Sequence, residues 1–95
     1  MHTPIDPDVA DEAPRDDRVT SYDEQHFVTY LRLLDAEKAG ADWQEVARVV
    51  LHRDASIDDE RSYRCWKSHL DRAQWLSKIG YTTILRQAAG IPRNL

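Results

Sequence analysis

The chain has 95 residues, a formal net charge of −4 and one cysteine, and it contains no apolar run near the ~20 residues that a bilayer span requires. That length allows one domain burying roughly 60–65% of the surface its unfolded form exposes, and the lone Cys65 excludes an internal disulfide framework. The N-terminus has neither the charged nor the apolar region of a signal peptide, so the expected location is cytoplasmic.

Residues 1–20 hold Pro4, Pro7 and Pro14, and six acids, Asp6, Asp8, Asp11, Glu12, Asp16 and Asp17, against Arg15 and Arg18. Ile5 and Val9 are the only sizeable early apolar residues. Such a segment buries too little to offset its ordering entropy, which predicts a disordered acidic tail over 1–20, dispensable for folding, and a domain over 21–95.

Helix signals follow in order. Ser21 and Glu24 form an S-x-x-E capping box opening a helix from about Tyr22 to Ala39, with Phe27, Val28, Leu31 and Leu34 on one face and Gly40 as its left-handed stop. Asp42 with Glu45 opens a second helix, whose apolar side carries Trp43, Val46, Ala47, Val50 and Leu51, and which ends near His52. The stretch His52 to Ile57 has no helical periodicity, and Ser56 with Asp59 reads as the cap of a long third helix reaching about Lys78. Its inner face is predicted to carry Tyr63, Trp66, Leu70 and Ala73, with Ser62 and Ser77 at the margins. A short last helix, about Thr82 to Ala89, ends at Gly90 with Pro92 beyond. The expected fold is therefore all-α: a small helix-turn-helix-like bundle with an extended turn, three main helices and a short C-terminal one. Its predicted core is Phe27, Leu31, Leu34, Trp43, Val46, Val50, Trp66 and Leu70.

Catalysis finds no support in the motifs. No Gly-rich phosphate loop, G-x-S-x-G, H-E-x-x-H or C-x-x-C occurs, so no enzyme activity, cofactor, small-molecule substrate or metal site is expected. Cys65 and His69 lie four apart, the spacing of two ligands on one helix face, but two ligands do not complete a metal site.

Charge divides the ordered part. Asp42 to Glu60 sets six acids against Arg48 and Arg53, whereas Arg61 to Leu95 sets seven bases against Asp71 alone. A helix-turn-helix layout inserts its later helix into the major groove. Here Asp58, Asp59 and Glu60, behind Asp54, stand at that helix's start and oppose phosphates, although Arg61, Arg64, Lys67 and Arg72 follow. Nine residues after Trp66, at 100° per residue, Trp75 points to the opposite side with Arg64 and Ser68 and near Ile79; that side is either an exposed protein interface or is covered by the last helix through Tyr81, Ile84 and Leu85.

The run Tyr30 to Ala36, then Gly40 to Trp43 with Glu45 to Arg48, Trp66 to Leu70 with Arg72, Ala73 and Trp75, and Gly80-Tyr81 with Leu85-Arg86, resembles the domain-of-unknown-function 2285 family in order and spacing. The resemblance covers about Tyr22 to Arg86 and implies a helix-turn-helix domain with an extended turn, of the kind carried on proteobacterial integrative and conjugative elements. Within that family, long activators carry the domain behind another domain, and short stand-alone members act as antiactivators in quorum sensing. With only a short tail ahead of the domain, the chain is similar to the latter. The implied partner is an FseA-like transcriptional activator, through its N-terminal domain, with a TraR-like regulator as a second partner, and the implied effect is a block on element excision and horizontal gene transfer.

On that reading Trp75, Ile79, Tyr81 and Arg64 form the protein-binding face. Asp54, Asp58, Asp59 and Glu60 form an acidic face that has lost DNA contact. The alternative is a DNA-binding helix-turn-helix transcriptional regulator.

Overall fold

The structure, a computed structural model, describes residues 8–79. Among them the regular elements are all helical, as the sequence predicts: α1 (Ser21–Gln25), α2 (Phe27–Lys38), α3 (Trp43–Val50) and α4 (Asp59–Lys78). The predicted C-terminal helix, about Thr82 to Ala89, lies outside the described residues, as do Gly80 and Tyr81.

The start of the first helix is displaced by one residue from the predicted box. Thr20 is the N-cap; its hydroxyl accepts the Asp23 amide at 3.2 Å, and the Asp23 carboxylate takes the Thr20 amide at 2.9 Å. Asp23 is also drawn inward by Arg72, so a tertiary partner selects Thr20–Asp23 over Ser21–Glu24. The single predicted helix is in fact two, because His26 leaves helical geometry at φ −117°, ψ 20°. Its ring stacks on Tyr22 with centroids 3.9 Å apart, and its nitrogens face the carbonyls of Tyr22 and Asp8 at 2.7 and 2.9 Å.

At the end of α2, Gly40 adopts φ 73°, with its amide bonded to the Glu37 carbonyl and the Ala41 amide to that of Ala36. That is the two-bond left-handed stop its position predicts. Asp42 caps α3, accepting the amides of Gln44 and Glu45.

The predicted core is partly rearranged. Phe27, Leu31, Val46, Val50 and Leu70 are buried as expected, joined by Tyr30, Leu33, Leu51, Cys65, Ala73 and Leu76. Leu34, Trp43 and Trp66 are half-buried instead. The interior face of α4 centres on His69, taking in Ser62, Cys65, Arg72, Ala73 and Leu76, so the helix is rotated from the predicted Tyr63–Trp66 orientation. Tyr63 is 42% exposed and forms, with Trp43 and Trp66, an aromatic cluster at the α3–α4 edge, its ring centroids 5.1–5.9 Å apart.

Residues 8–20 make several contacts with the helices. Ala13 is 5% exposed and its amide donates to Ser68 Oγ at 3.1 Å. The Ala10 amide donates to the Tyr22 hydroxyl, which reaches His69 Nε2 at 2.6 Å, and Cys65 Sγ donates to the Ala10 carbonyl. Arg72 donates to the carbonyls of Asp16 and Arg18. These contacts run mainly through backbone groups, which hydropathy does not register.

Candidate nucleic-acid interface

Helix α3, the connection from Leu51 to Asp58 and helix α4 make two helices joined by a turn, with α2 packed against both. The connection is locally rigid. Leu51 is 2% exposed and anchors its start. His52 follows at φ 58°, a left-handed conformation that only a few per cent of non-glycine residues adopt. It lets the Arg53 amide return to the Ala47 carbonyl at 2.9 Å. Asp54 then accepts both the amide and the hydroxyl of Ser56, at 2.9 and 2.6 Å. Ser56, predicted to cap α4, is used inside the turn, and Asp58 caps the helix by accepting the Arg61 amide at 3.0 Å.

The four carboxylates assigned to an acidic face therefore have different occupations. Asp54 folds the turn, and the hydrogen bonds from Ser56 hold its carboxyl below the usual range. Asp58 caps the helix, and Glu60 lies 3.6 Å from Arg64. Asp59 is exposed in the first helical turn.

The solvent side of α4 carries a line of cations. Arg61, Arg64 and Lys67 recur every third residue and are all exposed, Arg64 facing Glu60 and Lys67 bonded to Asp71 at 3.0 Å. These i, i+4 pairs are solvent-exposed and weak, on the order of 0.3–0.5 kcal/mol each. They yield readily to a stronger anion. Arg72, counted with this basic series from the sequence, is turned inward, its side chain 4% exposed and paired with the fully buried Asp23 at 2.7 Å. A groove of about 580 Å³ runs between residues 12–17 and α4, with Asp16 and Asp17 on one wall and Arg64, Lys67 and Trp75 on the other.

Three residues of the predicted protein-binding face, Trp75, Ile79 and Arg64, lie among the described residues. Trp75 is half-buried against the core, its ring covered by the Arg72 guanidinium 4.2 Å from the centroid. Its ring is partly covered because the inner face of α4 is rotated toward it. Ile79 is 46% exposed, Arg64 is exposed and turned to Glu60, and Tyr81 lies outside the described residues.

Cys65 and His69 do come together, Sγ 3.8 Å from Nδ1, but Nδ1 donates to the Cys65 carbonyl at 2.7 Å and Nε2 accepts from Tyr22. Burial pushes the thiol up and the imidazole down from their ordinary values, and both sit within the core. No cluster of three or more metal-ligating side chains occurs among the described residues. None of the described helices is long and apolar enough to cross a membrane.

The residue sequence reasoning missed is Asp11. Its Oδ1 accepts from Arg61 Nε at 2.9 Å and lies 3.0 Å from Arg53 NH1, joining the N-terminal segment to the turn and to the start of α4. No local pattern signals a contact between residues fifty positions apart.

A family model described as "T6SS, Transcription factor, DNA binding domain" matches residues 5–86. No curated protein matches the chain. The family match corrects the assignment to domain of unknown function 2285, and with it the likeness to the stand-alone antiactivator QseM. The antiactivator role, the quorum-sensing and conjugative-element context, and the FseA-like and TraR-like partners fall with that assignment. So does the expectation that DNA binding is unlikely. The acidic start of α4 misled because formal charge was counted without its local bonds, whereas Asp54 and Asp58 are engaged by the backbone they shape. The match begins within the segment read as a tail and runs through all four helices, and the chain belongs to the RovC DNA-binding domain family, a domain of transcription factors.

Proposed function

We propose that this chain binds duplex DNA through α4, set into the major groove as a recognition helix, with α3 and the rigid turn holding its first half at the groove. The carrying observation is the line of exposed cations Arg61, Arg64 and Lys67 on the half of α4 that faces away from the core. Arginine is the side chain best fitted to a guanine edge, through two parallel hydrogen bonds, and lysine to a phosphate as a point charge. Arg64 is assigned to base reading and Lys67 to the backbone. The exposed Tyr63 beside them supplies apolar surface for a thymine methyl or a sugar.

In this role the chain acts as a transcriptional regulator in the cytoplasm. Because its family's description names T6SS transcription factors, promoters of such secretion genes are the first duplexes to test. Fluorescence anisotropy with those duplexes over a salt series is the measurement. The wild-type chain should bind with an affinity that falls steeply with salt. Arg64→Ala should cost about tenfold or more and relax preference at one base position, whereas Lys67→Ala should weaken all duplexes alike and reduce the salt slope by about 1. Absence of binding to any duplex at low salt would overturn the proposal.

A further inference from the structure

The bridge made by Asp11 has the geometry of an occupied anion site. Arg53 projects from the turn and Arg61 from the first turn of α4, and both guanidinium groups converge on one oxygen of one carboxylate. Arg53 is fixed from behind, because its NH2 donates to the Val9 carbonyl at 2.7 Å and its side chain is only 23% exposed. Asp11 and Arg61 are about half exposed, at 51% and 52%, so the junction opens to solvent. We propose that Arg53 and Arg61 form a seat for one backbone phosphate of DNA, and that Asp11 occupies this seat in the free protein and leaves it when DNA binds. The proposal rests on the reading of α4 as the DNA-binding helix.

The exchange is balanced in charge. A phosphodiester and a carboxylate each carry one negative charge, so the two arginines see the same formal charge before and after. The hydrogen bond from Arg61 already holds the Asp11 carboxyl below its ordinary range, which shows a site receptive to an anion. Little of the segment has to move. Ala10 is held by Tyr22 and Cys65 on one side, and Ala13 by Ser68 on the other, so rotation of the Asp11 side chain alone vacates the seat. The acid thus sets a threshold: an anion must outcompete it, and a helical array of phosphates does so where a single free anion does not.

The test compares wild type with Asp11→Asn and Asp11→Ser by anisotropy on one duplex over a salt series, after circular dichroism has verified that each variant folds. Both variants should bind about fivefold more tightly, because two exposed ion pairs no longer have to be broken. Their salt slope should steepen modestly, because rising salt weakens the Asp11 ion pairs that only wild type has to break. Asp35→Asn, the same charge change on α2, should shift affinity by less than twofold. Adding Arg61→Gln should erase the gain of Asp11→Asn. If wild type and both Asp11 variants bind alike, or if Asp35→Asn gains as much, the seat is refuted while DNA binding stands. If no protein binds any duplex, the reading of α4 fails and the seat fails with it.

Discussion

Arg72 uses its whole guanidinium inside the protein: Nε and NH2 meet both oxygens of Asp23, and NH1 and NH2 meet the carbonyls of Asp16 and Arg18. Tyr30 adds a third donor to Asp23 at 2.7 Å. Burial opposes ionisation of Asp23, but the hydrogen bonds from Arg72, Thr20 and Tyr30 outweigh it and hold the carboxyl below its ordinary 3.8. Removing one member leaves the other as an uncompensated buried charge. Arg72→Met should therefore cost about 3–5 kcal/mol in urea unfolding, a large share of the stability of an ordinary domain.

The pH dependence has a fixed sign. Asp23 has a lowered folded value, so its contribution is complete above about pH 4 and is lost as pH falls through that value. His69, lowered by burial, acts in the same direction just below 6.5, because the unfolded chain takes up the proton first. Urea midpoints should fall in two stages as pH drops from 7 to 3, and a midpoint constant across that range would contradict the buried pair. This polar interior was illegible in the sequence. His69 and Arg72 read as surface residues on an apolarity scale, and the weight given to Trp66 drew the predicted inner face of α4 toward the α3 edge.

Among the elements, those closed by local chemistry were legible. Gly40 and Asp42 act where their spacing places them, since a left-handed stop and an N-cap are decided within a few residues. The break at His26 and the displaced caps at Thr20 and Asp58 were not, because each is decided by partners elsewhere in the chain or by competition among neighbouring acids and hydroxyls. Ser56 and Asp58 make a direct comparison. Asp58→Ala removes the acceptor for the Arg61 amide and should cost about 1 kcal/mol with loss of helix at the start of α4. Ser56→Ala leaves that cap intact and should alter the turn alone. Amide exchange at Arg61 separates the two variants, and faster exchange in Ser56→Ala would restore the cap read from the sequence.

For the whole molecule, the N-terminal segment decides where the domain begins. It covers Ser68 and Cys65, supplies two carbonyls to Arg72 and buries Ala13. Deleting residues 1–18 should therefore lower the melting temperature and broaden the transition, as Arg72 loses acceptors in a place that water enters poorly. An unchanged melt would mean that the segment adds nothing to the domain. The proposed DNA face was half legible: the layout of two helices and a turn, and the cations Arg61, Arg64 and Lys67, stand in the sequence. The role of the acids beside them depends on which amides they cap, and that is known only from the fold.

The bonds between residues 8–18 and α4 also fix an order of assembly. They join positions 50 to 56 residues apart, from Asp11–Arg61 to Asp16–Arg72, whereas α2 meets α3 and α3 meets α4 across short connections. Closing so long a loop is entropically slow relative to forming neighbouring helices. During synthesis residues 8–18 emerge before their anchors on α4, so docking of this segment is expected to follow formation of the helices. A folding trace should accordingly show helix signal preceding protection of the Ala10 and Ala13 amides.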